Sequence, residues 1–181
     1  ETEFEPASGT LWGYFNPRGR PCFGLGLLKD IRAHDNALAM NGGKVQIENE
    51  LHEVRYYVCG SRTPGVFSLG GDLGLFMMLI KSQSREELAH YARMCIDNMY
   101  ARIQNYYASN LVTISMLQGD ALGGGLECAL SSDVVVAEEA GRDRVLVVVE
   151  RSRRHHRPPP ALEDVAVDAV EPVVGDVGPA P

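Results

Sequence analysis

The chain has 181 residues, room for one complete domain or most of a larger one. With 45% hydrophobic and 23% charged residues it has a globular balance, which excludes a wholly disordered chain, a collagen and a disulfide-dense miniprotein. Seventeen Lys and Arg against 24 Asp and Glu give a formal charge of -7, so there is no overall basic footprint for a phosphate backbone and no nucleic-acid partner is expected.

No apolar run approaches the roughly 18 to 20 residues that span a bilayer, so no membrane span is expected. Glu1 to Pro6 lack a basic segment followed by an apolar one, although residue 1 is not Met and a signal upstream of it would be invisible. Cys22, Cys59, Cys95 and Cys128 lie far apart with no C-x-x-C, which reads as buried thiols in a reducing cytoplasm rather than a disulfide pair or a zinc site. His34, His52 and His90 are scattered without ligand spacing and read as surface or satisfied side chains. No metal site is expected.

Thr10 to Phe15 reads as a strand, and the two prolines of residues 16–21 make a loop. Leu27, Leu28, Ile31 and Leu38 give a helix an interrupted apolar stripe, closed at Asn41-Gly42-Gly43. Val45 to Ile47 and Val54 to Cys59 read as strands, and Leu73 to Ile80 as a helix. Ser84 and Glu87 have the spacing of a capping box. Behind it Leu88, Tyr91, Ala92, Cys95, Ile96, Met99 and Ile103 predict a long amphipathic helix. Leu111 to Leu117 reads as a strand, Gly123 to Leu130 as a helix opened by glycines, and Val134 to Ala137 as another strand. That alternation predicts α/β layers.

Two segments carry chemistry. In Gln118-Gly119-Asp120-Ala121-Leu122-Gly123-Gly124-Gly125-Leu126-Glu127, three glycines open a helix between apolar elements and leave its first amides without partners. Such amides suit developing negative charge, as in half of an oxyanion hole. Read alone, the glycines serve equally well as a tight turn, with Glu127 an ordinary acid in the first helical turn. Val66-Phe67-Ser68-Leu69-Gly70-Gly71-Asp72-Leu73 again runs through glycines into a helix and offers a second amide. Asp72 reads as a brace for its loop and Asp120 as a turn residue; Ser68 and Ser115 lack a G-x-S-x-G elbow.

Together the two segments resemble the crotonase, or enoyl-CoA hydratase, superfamily, with its F-x-x-G-x-D-L loop and later A-L-G-G-G-x-E segment. The resemblance covers roughly residues 10 to 142. It is most similar to the diffusible signal factor synthases, through Arg20-Pro21-Cys22-Phe23, Gly65 to Leu73 and Ala137-Glu138-Glu139. It implies an α/β crotonase-like fold, a twisted sheet of short strands wound with helices. It further implies acyl-thioester chemistry: dehydration or hydration at C3, with hydrolysis to a free cis-2-unsaturated fatty acid in the synthases. Carried over by motif, the amides of Gly71 and Gly124 form the oxyanion hole, Glu127 is the catalytic acid/base, and Leu69, Gly70 and Gly123 contact substrate. No cofactor is implied; coenzyme A or acyl carrier protein carries the acyl group.

The chain departs from that pattern in one respect. The family's second glutamate, about twenty residues after the first, falls at Val147, and Glu150 lacks the flanking turn that would aim it. An alternative therefore stands: a catalytically impaired acyl-thioester-binding or partner-binding protein. Residues 1–142 read as an incomplete crotonase-like domain. Residues 143–181 hold six of the ten prolines, ten valines and no Phe, Trp or Tyr, and read as a divergent, disordered tail, with Val145 to Val149 still compatible with a strand. The family's C-terminal helices, which close the acyl pocket and build its trimer, are not recognisable there. The switch beside Arg142 looks like an out-of-frame translation or a terminus altered by truncation. Sequencing the coding DNA checks the first: a one- or two-base shift after the Arg142 codon is expected to restore a Pro-Glu segment and helices, and a shift that restores neither removes the idea.

Overall fold

The computed structural model describes residues 1–137 together with Val149–Glu150. The tail expected to be disordered, residues 143–181, lies outside the described residues except for Val149–Glu150, and so does the second-glutamate position Val147. The chain forms β1 (Thr2–Glu5), β2 (Thr10–Phe15), α1 (Leu25–Met40), β3 (Lys44–Ile47), β4 (Glu50–Glu53), β5 (Tyr56–Ser61), β6 (Gly65–Ser68), α2 (Leu73–Lys81) and α3 (Arg85–Ile103). After a short turn at Asn105–Tyr107 follow β7 (Val112–Leu117), β8 (Gly119–Ala121), α4 (Gly124–Leu130), β9 (Val134–Ala137) and β10 (Val149–Glu150).

The main sheet has six strands in the order β1-β2-β5-β7-β9-β10. β2, β5, β7 and β9 run parallel, and the edge strands β1 and β10 pair antiparallel. This is the expected α/β fold of short strands wound with helices. β5 is buried along nearly its whole length, as a central parallel strand covered on both faces must be. A separate pair, β6 and β8, runs parallel in its own two-stranded sheet. One apolar core gathers Phe15, Phe23, Leu28, Phe67, Tyr91 and Met94; a second gathers Leu11, Leu38, Val54, Tyr57, Tyr106 and Leu111.

Three features differ from the sequence expectation. A hairpin, β3 to β4, stands where one strand is predicted; its turn is Glu48-Asn49, both with positive φ (48° and 69°), a mirror-image turn made without the glycine that normally advertises it. The capping box does not form: Ser84 makes no side-chain bond to the helix amides, and its Oγ pairs instead with Ser82 Oγ at 2.8 Å. The buried face of α3 is Tyr91, Met94, Asn98 and Arg102, while Ala92 and Ile96 face outward, so the helix is turned to put two polar residues inside. All four cysteines are free thiols, with Cys59 buried and the others half-buried. Among the described residues no helix is long and apolar enough to cross a membrane.

The β6–β8 pair depends on glycine. A Cβ on Gly119 would lie 2.1 Å from the Gly65 carbonyl, and one on Gly125 would lie 2.3 Å from Ser68 O. Gly26, exposed in α1, has open space instead. Gly125→Ala is therefore expected to cost about 1 to 3 kcal/mol through overpacking, and Gly26→Ala to stabilise by about 0.5 to 1 kcal/mol through helix propensity. Urea unfolding of the two variants beside the parent checks both signs.

Candidate active site

The site is built where the two glycine turns meet. Parallel pairing of β6 with β8 sets Gly65 opposite Gly119, Val66 opposite Asp120 and Ser68 opposite Ala121, so both strands end side by side and both chains turn into helices there. Ser68 O accepts from Leu122 N at 2.9 Å, and Ser68 Oγ accepts from Gly70 N at 3.1 Å. A Cβ on Gly70 would lie 2.9 Å from Gly124 N, and one on Gly124 3.8 Å from Gly71 N, so the two turns touch through bare backbone. Among the described residues, the loop hydrogen bonds employ the amides of Leu69, Gly70, Leu122 and Gly125 and leave those of Gly71 and Gly124 without an acceptor.

The neighbours of Gly71 are pinned. Phe23 N donates to Gly70 O at 2.8 Å, and the Tyr91 hydroxyl accepts from Asp72 N at 3.1 Å while donating to Phe23 O. Asp72 caps α2, its Oδ1 accepting from Leu75 N at 3.1 Å, which is the bracing role expected of it.

Gly71, Gly124 and Glu127 line one cavity of about 260 Å³. Phe15, Phe23, Leu28, Ile31 and Phe76 supply apolar wall. Leu69, Gly70 and Gly123 border the turns but do not line the cavity, and Glu127 is exposed on its rim. The inner end lies against the second core and is walled by Asp35, Tyr57, Asn98, Arg102 and Tyr106.

That inner end is polar and tightly held. Arg102 Nε and Nη2 donate to Ser132 Oγ at 3.0 and 2.9 Å, Nη2 also to Ser115 Oγ at 3.1 Å, and the guanidinium lies 5.4 Å from the Tyr57 ring centroid. Tyr106 is brought in by a strained turn, Asn105 to Tyr107, in which three successive residues have φ between 48° and 59°. Left-handed backbone costs such residues roughly 1 to 2 kcal/mol each. Asn105 Nδ2 offsets it with bonds to Asp133 Oδ2 at 2.6 Å and Leu111 O at 2.9 Å. Burial pushes the Asp35 carboxyl up to about 7, with the charges of Arg102 and Arg32 and the Tyr106 hydroxyl pulling the other way. Burial, aided by nearby positive charge, pushes His34 down to about 4; its Nε2 has no partner among the described residues, so it is neither the surface nor the satisfied histidine expected.

Sequence reasoning brings Gly71, Gly124 and Glu127 together. It does not mark Asp35, Asn98 or Arg102, although the last two lie four apart and in phase with Tyr91 and Met94, and polar residues inside an apolar stripe are the available signal.

A largely parallel α/β sheet wound with helices, with two glycine turns meeting at one cavity, is the architecture of a crotonase-type fold. A family model described as enoyl-CoA hydratase/isomerase matches residues 46–142, and the chain belongs to that family. No curated protein matches the sequence. Among solved structures, Pseudomonas aeruginosa DspI is 26% identical with a TM-score of 0.55, over 76% of this chain and 49% of that one. Pseudomonas aeruginosa AtuE is 23% identical with a TM-score of 0.57, over 75% and 47%. An enoyl-CoA hydratase from Geobacillus kaustophilus HTA426 is 20% identical with a TM-score of 0.56, over 72% and 42%. The chain spans about half the length of the solved structures it matches.

The two shifted groups make opposite pH signatures. Asp35 keeps its proton in the folded state to about pH 7 while the unfolded chain loses it near 4, so raising pH between those values destabilises the fold. His34 is neutral in the folded state down to about pH 4 while the unfolded chain protonates near 6.5, so lowering pH in that window destabilises it. Relative to the parent, Asp35→Asn is expected to gain stability as pH rises from about 4 to 7, and His34→Gln as pH falls from about 6.5 to 4, each approaching about 1.4 kcal/mol per unit. Urea unfolding across that range measures both slopes, and parallel curves for parent and variant would remove the assignment.

Proposed function

We propose that this chain is an acyl-thioester enzyme of the enoyl-CoA hydratase/dehydratase type, acting on a 3-hydroxyacyl or 2-enoyl thioester. The observation that carries this is the meeting of two acceptor-free amides, of Gly71 and Gly124, with the Glu127 carboxylate at one cavity. The thioester oxygen sits between the two amides, which hold it as it gains enolate character. Donors fixed in advance stabilise that charge without reorganising, and each is worth roughly 3 to 4 kcal/mol in comparable holes. Glu127 exchanges a proton with the hydroxyl or water at C3: in dehydration the carboxylate takes the C2 proton and gives a proton to the departing hydroxyl, which leaves as water, and in hydration it takes a proton from the attacking water and delivers one to C2. Leu69, Gly70 and Gly123 shape the backbone around the thioester.

The finer reading is a synthase of cis-2-unsaturated fatty acid signals, diffusible signal factors used in quorum sensing. There dehydration is followed by thioester hydrolysis: water adds at the carbonyl carbon, the C–S bond breaks, and the carrier thiol leaves. The motif likeness at Arg20 to Phe23 and Gly65 to Leu73 supports it. The carrier is coenzyme A or acyl carrier protein, no other cofactor takes part, and the chemistry belongs in the cytoplasm.

The test is hydration and dehydration of medium-chain acyl thioesters on both carriers, read by enoyl absorbance and by thiol release, with Glu127→Gln beside the parent. Turnover that falls by about 100-fold or more in the variant is expected. Binding without turnover, unchanged by Glu127→Gln, would instead establish the acyl-thioester-binding protein.

A further inference from the structure

A plain hydrocarbon tail does not match the inner end of the cavity. Asp35 is 3% exposed, Arg102 4% and Asn98 7%, yet all three line its wall, with Tyr57 and Tyr106 beside them. Asn98 Nδ2 donates to Leu28 O at 3.0 Å, and its Oδ1 has no partner among the described residues. Arg102 is held through Nε and Nη2, and no ion pair joins it to Asp35 among the described residues. Buried polar atoms are nearly always paired, so a wall that brings an unpaired acceptor, a carboxyl and a guanidinium together suits a group that both donates and accepts. The mouth, with Glu127, Gly71 and Gly124, is where the thioester belongs, and the polar wall is what the far end of the acyl chain meets.

We propose that the inner end of the cavity is a subsite for a hydroxyl group on the distal end of a short acyl chain, with Asn98 Oδ1 accepting its hydrogen and Arg102 and Asp35 enclosing its oxygen. This rests on the acyl-thioester reading of the mouth. A methyl end leaves Asn98 Oδ1 without a donor. A carboxylate end pairs with Arg102 but, having no hydrogen to donate, leaves Asn98 Oδ1 without a donor as well. The chain is short because about 260 Å³ falls below the range of roughly 300 to 1,000 Å³ typical of drug-sized sites.

The experiment is calorimetric titration of the full chain with three saturated coenzyme A analogues made non-hydrolysable by a methylene between sulfur and carbonyl, carrying hexanoyl, 6-hydroxyhexanoyl and 5-carboxypentanoyl ends. The hydroxyl ligand is expected to bind at least about tenfold more tightly than hexanoyl, since a site built to hydrogen-bond a hydroxyl discriminates against its absence. Asn98→Leu and Asp35→Asn are each expected to shrink that preference to about threefold or less. Should a variant fail to fold, the ranking of the three ligands on the parent chain decides alone. Equal binding of the hydroxyl and methyl ends, the result if water satisfies the wall, overturns the subsite and leaves the acyl-thioester reading standing, as does tightest binding of the carboxylate. Failure of all three to bind overturns both.

Discussion

The site depends on one contact of backbone against backbone: the end of β6 lying on the start of α4, with Gly125 pressed against Ser68 O. Ser68 organises both turns at once, its carbonyl taking the Leu122 amide and its hydroxyl the Gly70 amide. Gly70 O is in turn tied to Phe23 N, and Asp72 N to the Tyr91 hydroxyl. Gly71 therefore sits between two anchored neighbours while its own amide stays free. Any side chain at Gly125 would separate the turns, so the glycines are required first by packing, and the unpartnered amides follow from that packing.

Arg102 plays the comparable part for the inner end. Its charge is taken from water and held by two serine hydroxyls and the face of Tyr57 rather than by a carboxylate in contact. Burying a cation without a close counter-ion is costly unless its donors are satisfied, and here they join three elements: α3, β7 through Ser115, and the segment before β9 through Ser132. The adjacent Asp133 carboxylate accepts from Thr113 N and Asn105 Nδ2, which fixes the left-handed turn that delivers Tyr106. The polar wall is thus a rigid part of the scaffold.

Much of this was legible in the sequence, and the reasons are local. The parallel strands around Thr10, Tyr57, Ile114 and Val135 show as short apolar runs because both faces are buried, and the glycine turns show because only glycine allows such close backbone approach. What stays hidden is set by distant partners. The Glu48-Asn49 hairpin lacks its usual glycine, and Ser84 finds Ser82 instead of the helix amides. The Asn98 and Arg102 positions read only as polar interruptions beside an apolar stripe until Leu28, Ser115 and Ser132 are brought to them. Periodicity finds the face of α3 but not its rotation, because the rotation is decided by these hydrogen bonds.

The groups gathered at the mouth of the cavity stand in different environments. The amides of Gly71 and Gly124 are positioned by contacts within the described residues. Glu127 is different, since it lies exposed on the rim beside Leu122, Leu126 and Leu130, all of which also face outward. On the neighbouring helix α2, Leu73, Met77, Met78 and Ile80 are exposed as well. A carboxylate surrounded by water gains little from low dielectric, whereas one flanked by covered apolar surface holds and delivers its proton in a site from which water is excluded. On the acyl-thioester reading proposed above, the apolar flanks of α2 and α4 bear on the proton-transfer half of the chemistry and the paired glycine turns on the carbonyl half.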